Sequence, residues 1–233
     1  MTIAIMQPYI FPYVGYFHLI MAVEKFIFYD DVDFIKRGWI NRNRILLDGK
    51  EYLFSVPCIK PTYKKKICDI KVDLNSPEIQ KLLKTFYHAY SKAPFFSVIY
   101  PLLLKVFHPR LTSISALSID SIKMVMDYLE VKKVFKVSSM QGYNNIDMDK
   151  ANRLIDITKQ EGESVYINPK GGDSLYDKPY FKEQNIDLVF LQPEFTEYKQ
   201  NTSGFVAGLS IIDVLMHCDK EQVLKILANY NLK

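Results

Sequence analysis

The sequence predicts an α/β domain built on a parallel sheet of five strands. Short apolar segments rich in β-branched residues alternate with segments whose apolar residues recur every three or four positions, the pattern of strands alternating with helices. The chain has 233 residues, of which 48% are hydrophobic, and no stretch rich in Gly, Ser or Pro marks a linker. We therefore expect residues 1–233 to form a single domain. The parallel strands are predicted at residues 2–6, 25–29, 133–137, 164–167 and 186–191.

The first unit of the sheet consists of the strand at 2–6, a helix at 15–24 and the strand at 25–29. Phe17 and Ile20 lie at helical spacing within the central segment. A strand, a helix and a second strand within about thirty residues are typical of a right-handed βαβ crossover.

An insertion at residues 33–130 separates the second strand from the third. Asp48 and Gly49 lie between two extended runs, which is a strong signal for a β-hairpin, and residues 67–72 are a candidate partner strand for that hairpin. Ser76, followed by proline, marks the start of a helix. Two further helices are predicted at residues 96–107 and from near Ser118 onward.

The alternation of strands and helices resumes after the insertion. A helix is predicted at residues 149–160, and two helices close the chain. The second of these is predicted to begin at Asp219, because Gln222 follows three residues later and completes a capping box.

The composition narrows the functional classes. A net charge of +4 is too small to argue for a nucleic-acid-binding protein, so we expect a small-molecule substrate and no nucleic acid. Cations do cluster at Lys36, Arg37, Arg42, Arg44 and residues 64–66. They form either a solvated basic surface or a local site for a phosphate or nucleotide.

Cysteine content and hydropathy indicate the compartment. Three cysteines without a C-x-x-C motif predict neither a disulfide framework nor a Cys-rich zinc site. We see no signal peptide and no apolar run long enough to span a bilayer. We therefore expect a cytoplasmic protein without a transmembrane segment.

The expected ligand site lies beyond the carboxyl ends of the parallel strands, near the point where the strand order reverses. This rule selects polar and aromatic residues that follow each predicted strand, and a polar loop before the closing helices adds two more. The candidates are Gln7, Tyr9, Tyr13, Gly15, Tyr16 and His18, then Asp31, Lys36 and Arg37, then Ser138, Asn168, Tyr198 and Gln200.

Gly15 and His18 each have two interpretations. A glycine at the start of the first helix lets a ligand approach the backbone, where the helix amides favour an anion; it equally permits close packing of the helix on a strand. His18, about one turn further on, is a catalytic candidate, although a single histidine on a helix is more often structural.

The segment "DDVDFIKRGWINRNRI" is the second cluster of candidates. Asp31 and Asp33 alternate along an extended segment and therefore face the same way. The cations that follow flank Trp39, the single tryptophan, and suit a phosphate or a sugar stacked on its ring. The alternative is a surface hairpin held by weak ion pairs. The candidates here are Asp31, Lys36, Arg37, Trp39, Asn41 and Arg42.

The predicted arrangement resembles the Rossmann-like fold of the nucleotidylyltransferase/HUP-like group. In that group an H-x-G-H element opens the helix after the first strand, and Tyr13-Val14-Gly15-Tyr16 stands at its place here. Tyrosines replace the two histidines that stabilise the transition-state phosphates. The resemblance therefore implies nucleotide binding rather than the adenylyl transfer of the histidine version.

Four segments together resemble the WbqC-like protein family: "MQPYIFPYVGYFHLI", "YDDVDFIKRGWINRNRI", "YSKAPFF" and "YKQNTSGFVAGLSIIDVLM". They lie in order and span nearly the whole chain. The family is similar to proteins encoded in bacterial O-antigen and other surface-polysaccharide gene clusters, which implies work on an activated sugar or its substituent. It marks as site residues Gln7, Tyr9, Tyr13, Gly15, Tyr16, Asp31, Lys36, Arg37, Trp39, Asn41, Arg42, Tyr198 and Gln200.

Two functions follow from these expectations. The first is a transferase that acts on a nucleotide-linked amino sugar and adds an acyl or aminoacyl group, with ATP and Mg²⁺ as the candidate cofactors; His18, Asp31 and Lys36 are its catalytic candidates. The second is a non-catalytic component of the same pathway that binds a sugar or nucleotide sugar on the same aromatic residues. No metal site is expected from the protein side chains alone.

Overall fold

A computed structural model describes residues 1–233, which form ten β-strands and eight α-helices. The strands are β1 (Thr2–Met6), β2 (Lys25–Phe28), β3 (Arg42–Leu47), β4 (Lys50–Ser55), β5 (Cys58–Ile59), β6 (Lys71–Val72), β7 (Val134–Val137), β8 (Val165–Pro169), β9 (Asp187–Pro193) and β10 (Tyr230–Leu232). The helices are α1 (Val14–Met21), α2 (Pro77–Tyr90), α3 (Phe96–Val106), α4 (Ile114–Tyr128), α5 (Lys150–Gln160), α6 (Lys178–Glu183), α7 (Ile211–His217) and α8 (Lys220–Leu227).

The central sheet has six strands in the order β10-β9-β8-β1-β2-β7. Five of them run parallel, and β10 pairs antiparallel with β9. The five predicted parallel strands are confirmed, with ends that differ by one or two residues. The prediction missed β10, because three residues are too short to show an alternating pattern.

The strand order reverses beside β1. From β1 the chain adds β2 and β7 on one side, and it then returns to add β8 and β9 on the other side. The carboxyl ends of β1 and β8 therefore flank the crevice where ligands bind in sheets of this kind.

The predicted hairpin is present as β3 and β4, which pair from Arg42 and Ser55 down to Leu47 and Lys50. Asp48 and Gly49 have φ angles of 51° and 73°. Positive φ at both central residues is what a two-residue type I′ turn requires, so this turn chemistry sets the register of the pair.

The prediction that residues 67–72 pair with this hairpin is wrong. Ile67–Asp69 forms a 3₁₀ turn, and Lys71–Val72 pairs with Cys58–Ile59 in a separate two-stranded ladder. Pro57 lies between the hairpin strand and β5. Because proline has no N–H to donate, the change of partner falls at this residue.

Helix α4 begins four residues earlier than predicted. Ser113 caps it by accepting a hydrogen bond from the Ala116 amide at 3.1 Å, and Ser118 is a buried residue inside the helix. The capping box of Asp219 and Gln222 at α8 is confirmed.

Two cores lie on opposite faces of the sheet. Successive side chains of β1 point to opposite faces of the sheet. Ala4 therefore packs in a cluster of 47 buried residues, and Ile3 and Ile5 pack in a cluster of 11 buried residues on the other face. The larger cluster includes α1, the hairpin and α2–α4, so the insertion packs on the same face as α1; α5 and α6 cover the other face. None of the helices is both long and apolar enough to cross a lipid bilayer.

Candidate functional site

A cavity of about 600 Å³ opens at the carboxyl ends of β1 and β8, where Met6 and Pro169 line it. We call it the aromatic cavity, because five aromatic side chains line it. Its volume falls in the range of ligand pockets. Its aromatic and polar wall residues are Tyr9, Tyr13, Tyr16, Trp39, Asn43, Arg44 and Phe195.

The loop that carries the tyrosines is held in place by buried hydrogen bonds. Phe11 has a φ of 40°, an uncommon conformation for a side chain of this size. Its carbonyl accepts from the Asn43 amide at 2.6 Å and from the Ser210 hydroxyl at 2.8 Å, and its N–H donates to Ser121 Oγ at 3.0 Å. These bonds fix the loop before a ligand arrives.

Gly15 serves the packing of a neighbouring ring. A Cβ atom at this position would lie 2.4 Å from three atoms of the Tyr13 side chain. The glycine lets the Tyr13 ring cover the first turn of α1, and a Cβ would push the far end of that ring aside. Gly15 also lines the aromatic cavity, so close packing against a ring of the same loop and approach of a ligand to the backbone are both compatible with its position.

Tyr9 and Tyr16 form the inner wall of the aromatic cavity. Their rings meet edge to face with centroids 5.2 Å apart, and the Tyr16 hydroxyl donates to the Gln7 carbonyl at 3.1 Å. Burial raises the pKa of both phenols well above the ordinary value of 10.0. Both hydroxyls are therefore protonated at neutral pH and act as hydrogen-bonding groups rather than bases.

The outer wall combines Trp39 with two arginines. The guanidinium groups of Arg42 and Arg44 lie 5.9 Å and 5.7 Å from the centre of the Trp39 ring. Arg44 alone of the two lines the cavity, and its Nη1 also pairs with Glu51 at 2.6 Å. Arg44 was not among the predicted site residues; its position two residues after Arg42 on the same strand face was the available signal.

A second cavity, of about 480 Å³, lies on the opposite face of the sheet. We call it the polar cavity. Met6 lines both cavities, whereas Ile5, which points to the other face, lines only this one. Its polar lining residues are Gln7, Tyr29, Asp33, Lys66, Lys150, Arg153, Tyr166, Asn168 and Tyr176.

Arg153 is the buried cation of the polar cavity. Its Nη2 bonds to Asp31 Oδ2, its Nε donates to Asn145 at 2.9 Å, and its guanidinium lies 4.7 Å from the centre of the Tyr29 ring. Burial raises the pKa of Tyr29 to about 12, against the opposing effect of Arg153. Arg153 was not predicted from the sequence, because its link to Asp31 spans 122 residues.

Asp31 and Ser138 hold the Arg153 guanidinium in place from outside the cavity. The Ser138 hydroxyl donates to Asp31 at 2.5 Å and accepts from the Asp30 N–H at 3.1 Å. Neither Asp31 nor Ser138 lines either cavity. Asp31 therefore positions Arg153, while Asp33, two residues on, is the carboxylate that lines the polar cavity.

Several predicted site residues lie elsewhere. His18 is fully buried between α1 and α8, where its Nε2 is 2.9 Å from the Ile226 carbonyl and burial lowers its pKa. Asn41 donates to the Val56 carbonyl at 2.8 Å within the hairpin. Lys36 and Arg37 are exposed on the loop after Asp33.

Tyr198 and Gln200 belong to a buried network around Asp213. Asp213 Oδ2 accepts from the Tyr198 hydroxyl at 2.7 Å and from the Gln200 amide at 3.1 Å, and Oδ1 accepts from the Tyr90 hydroxyl at 3.0 Å. Burial raises the pKa of Tyr198, with Asp213 adding to the effect. The network ties the loop before α7 to α2 and lines neither cavity, so its contribution to the site is to hold that loop.

Comparisons with known proteins agree with the motif resemblance. The sequence model of the WbqC-like protein family matches residues 7–225. A curated protein named "Uncharacterized protein Rv1507c", from Mycobacterium tuberculosis (strain ATCC 25618 / H37Rv), is 28% identical over 222 residues, which make up 94% of each chain. No solved structure matches this chain.

Proposed function

This chain belongs to the WbqC-like protein family, and from that premise we propose that it is a transferase of bacterial surface-polysaccharide (O-antigen) biosynthesis that acts on a nucleotide-linked amino sugar. The observation that carries the proposal is the pair of cavities on opposite faces of β1, which both reach Met6 at the carboxyl end of that strand. Two reactants bound in them would meet at this strand end.

The aromatic cavity suits the nucleotide sugar. The rings of Tyr13, Trp39 and Phe195 offer faces for a base or a sugar ring. Arg44 supplies a guanidinium for a phosphate, and its pairing with Glu51 through Nη1 at 2.6 Å holds it at the cavity. Because its loop is fixed by buried hydrogen bonds, binding would require little ordering of the protein.

The polar cavity suits the second reactant, an acyl or aminoacyl donor activated by ATP. Lys66, Lys150 and Arg153 line it and are cations for phosphate or carboxylate oxygens. The structure has no group of three His, Cys, Asp or Glu side chains that could hold a metal. Mg²⁺ would be supplied together with the ATP phosphates.

The structure changes the roles of the three catalytic candidates His18, Asp31 and Lys36. Asp33, which was not among them, lines the polar cavity beside Lys66 at 2.8 Å and would take the proton from the attacking amine in place of Asp31. Asp31 would act through Arg153, which it holds. Lys36 lies on the exposed loop three residues after Asp33, and His18 would contribute only through the packing of α1 on α8.

The strand order supports the assignment to a Rossmann-like fold of the nucleotidylyltransferase/HUP-like group. Numbered along the chain, the parallel strands lie in the order 3-2-1-4-5 across the sheet, which is the order of the doubly wound dinucleotide-binding folds. Both cavities lie at the reversal of this order, where those folds bind nucleotides.

Calorimetric titration and thermal-shift screening against ATP and a set of nucleotide amino sugars test the proposal. We expect at least one nucleotide sugar to raise the Tm, and Tyr13→Ala to weaken its binding. Tyr87→Ala is the matched control, because Tyr87 is 54% exposed on α2 and lines neither cavity. A protein that no nucleotide or nucleotide sugar stabilises contradicts the proposal.

The alternative, a non-catalytic sugar-binding component, is favoured by one observation. Tyr13 and Tyr16 occupy the places of the two histidines, and burial raises the pKa of both phenols, so the aromatic cavity binds without offering an acid or a base. Asp33→Asn separates the two functions. In a transferase this variant should abolish product formation, which mass spectrometry measures, and should leave the affinity for the nucleotide sugar unchanged. A binding component forms no product before or after the substitution.

A further inference from the structure

Two neighbouring loops beside the cavities form a basic and apolar surface. The Phe34 N–H donates to the Lys65 carbonyl at 2.9 Å, and the Ile67 N–H donates to the Val32 carbonyl at 2.9 Å, so the two loops run side by side in opposite directions. We call this surface the basic loop pair. It comprises residues 32–37 and 59–66.

The charge of the basic loop pair is strongly positive. Its single acid, Asp33, already pairs with Lys66 at 2.8 Å. The remaining five cations are exposed and have no ion-pair partner among the described residues. These are Lys36, Arg37, Lys60, Lys64 and Lys65.

Large apolar side chains protrude between these cations. Ile35 is 54% exposed, Ile59 is 48% exposed and Tyr63 is 66% exposed. The antiparallel pairing of Asp33 with Lys66 brings Ile35 alongside the 63–64 end of the facing loop. Ile59 lies four residues before Tyr63 on that loop. Exposed apolar groups rimmed by charge mark an interaction surface.

We propose that the basic loop pair docks this protein on an anionic lipid surface. The unpaired cations would lie against the negatively charged headgroups, and Ile35, Ile59 and Tyr63 would enter the boundary between headgroups and acyl chains. Each half of this pattern matches one layer of the membrane: charge for the headgroups, apolar side chains for the layer beneath.

Lipid fits this surface better than nucleic acid does. A nucleic-acid surface needs cations for phosphates and aromatic faces for bases. The exposed ring of Tyr63 suits either surface, whereas the exposed aliphatic side chains of Ile35 and Ile59 suit only the membrane. Docking would also place the cavities beside the membrane, because Ile35 and Lys66 line the polar cavity and Trp39 lines the aromatic cavity. The inference does not depend on the proposed transferase activity.

Co-sedimentation of the full chain with lipid vesicles tests the inference. We expect binding to vesicles of equal parts phosphatidylglycerol and phosphatidylcholine, weakening with salt, and little binding to pure phosphatidylcholine. The double variant Lys64→Glu/Lys65→Glu should weaken binding by about fivefold or more for each reversed cation. The double variant Ile35→Ser/Tyr63→Ser should also weaken it, and its residual binding should be more sensitive to salt.

The matched control is Lys81→Glu/Lys84→Glu, which makes the same charge change at exposed positions of α2. Binding by this variant like that of the unaltered chain supports the inference. Equal loss in both charge-reversal variants overturns it, because net charge alone would then explain the effect. Absence of vesicle binding, or retention on single-stranded RNA in place of vesicles, overturns it too. Unchanged thermal unfolding of each variant shows that folding is intact.

Discussion

The ring of Tyr13 lies on the backbone of Gly15, and a Cβ atom at Gly15 would approach that ring to 2.4 Å. Real side chains do not tolerate so short a contact, so any other residue at position 15 displaces a wall of the aromatic cavity. The glycine and the tyrosine are therefore one structural unit. Pro12 restricts the backbone just before Tyr13, which adds to the rigidity of that unit.

Replacing Gly15 by alanine should weaken ligand binding with little change in stability. The atoms that a Cβ would meet are at the far end of the Tyr13 side chain, so the ring can move aside, but that ring lines the cavity. The free energy of unfolding in urea and the Kd of a bound nucleotide sugar are the two measurements. Once the ring is removed, the new Cβ displaces nothing, so Tyr13→Ala/Gly15→Ala should bind no more weakly than Tyr13→Ala.

Gly171→Ala is the control for this experiment, because a Cβ at Gly171 meets nothing within 4 Å. Its stability should match that of the unaltered chain within about 0.5 kcal/mol. A Gly15→Ala variant that binds the nucleotide sugar as tightly as Gly171→Ala does would contradict displacement of the Tyr13 ring.

The buried imidazole of His18 should make stability depend on pH. Burial lowers its folded-state pKa from the ordinary 6.5, so the unfolded chain binds more protons between the two values. The free energy of unfolding should therefore fall as the pH decreases from above 6.5 through the depressed pKa, and His18 should contribute no slope at higher pH.

Urea unfolding at a series of pH values between about 8 and 5 measures this slope. His18→Gln should be less stable overall, since it loses the ring packed 5.8 Å from Tyr230, and should show a smaller slope. His88→Gln makes the same substitution on the exposed surface of α2 and is the matched control. Parallel pH profiles for all three proteins would contradict the assignment to His18.

The sheet was predictable because its signals are local. Each parallel strand is a short apolar run between polar turns, and the Asp48-Gly49 pair encodes the hairpin turn in two residues. The pairing of Lys71–Val72 was not predictable, because its partner was decided by competition among several short segments. The α4 start was misplaced because apolar periodicity within a helix does not reveal which upstream serine caps it.

The candidate site shows the same difference between local signals and contacts that only the fold creates. The rule of strand ends brought out Gln7, Tyr13 and Asn168, which line the two cavities. The rule also selected His18, which packs against α8 and lines neither cavity. Helical periodicity alone does not indicate which face of α1 packs on α8. Arg153 was missed because only the fold brings it to Asp31.

The buried pair of Asp31 and Arg153 should be strongly coupled. The side chains are 15% and 5% exposed, and loss of one partner from a buried pair costs about 3–5 kcal/mol, because the other charge is left without compensation. We expect Asp31→Asn and Arg153→Gln each to destabilise the chain. The double variant should lose less than the sum, with a coupling of about 0.5–3 kcal/mol by urea unfolding.

Lys182 and Asp187 provide the matched exposed pair, at 72% and 55% exposure. Solvent screens their attraction, so the same cycle with Lys182→Gln and Asp187→Asn should give a coupling below about 1 kcal/mol. Equal coupling in the two cycles would show that Asp31 does not hold Arg153.

Arg44 should contact the bound phosphate directly, and Arg42 should not. Both guanidinium groups lie over Trp39, but only Arg44 lines the aromatic cavity. Arg44→Lys keeps the charge and loses the planar pair of donors, so affinity for a nucleotide sugar should fall about tenfold. Arg42→Lys makes the same change over the same ring and should leave the Kd near that of the unaltered chain in calorimetric titration. Equal loss of affinity in the two variants would show that the effect comes from the stacking on Trp39. Arg44 would then not be a contact of the phosphate.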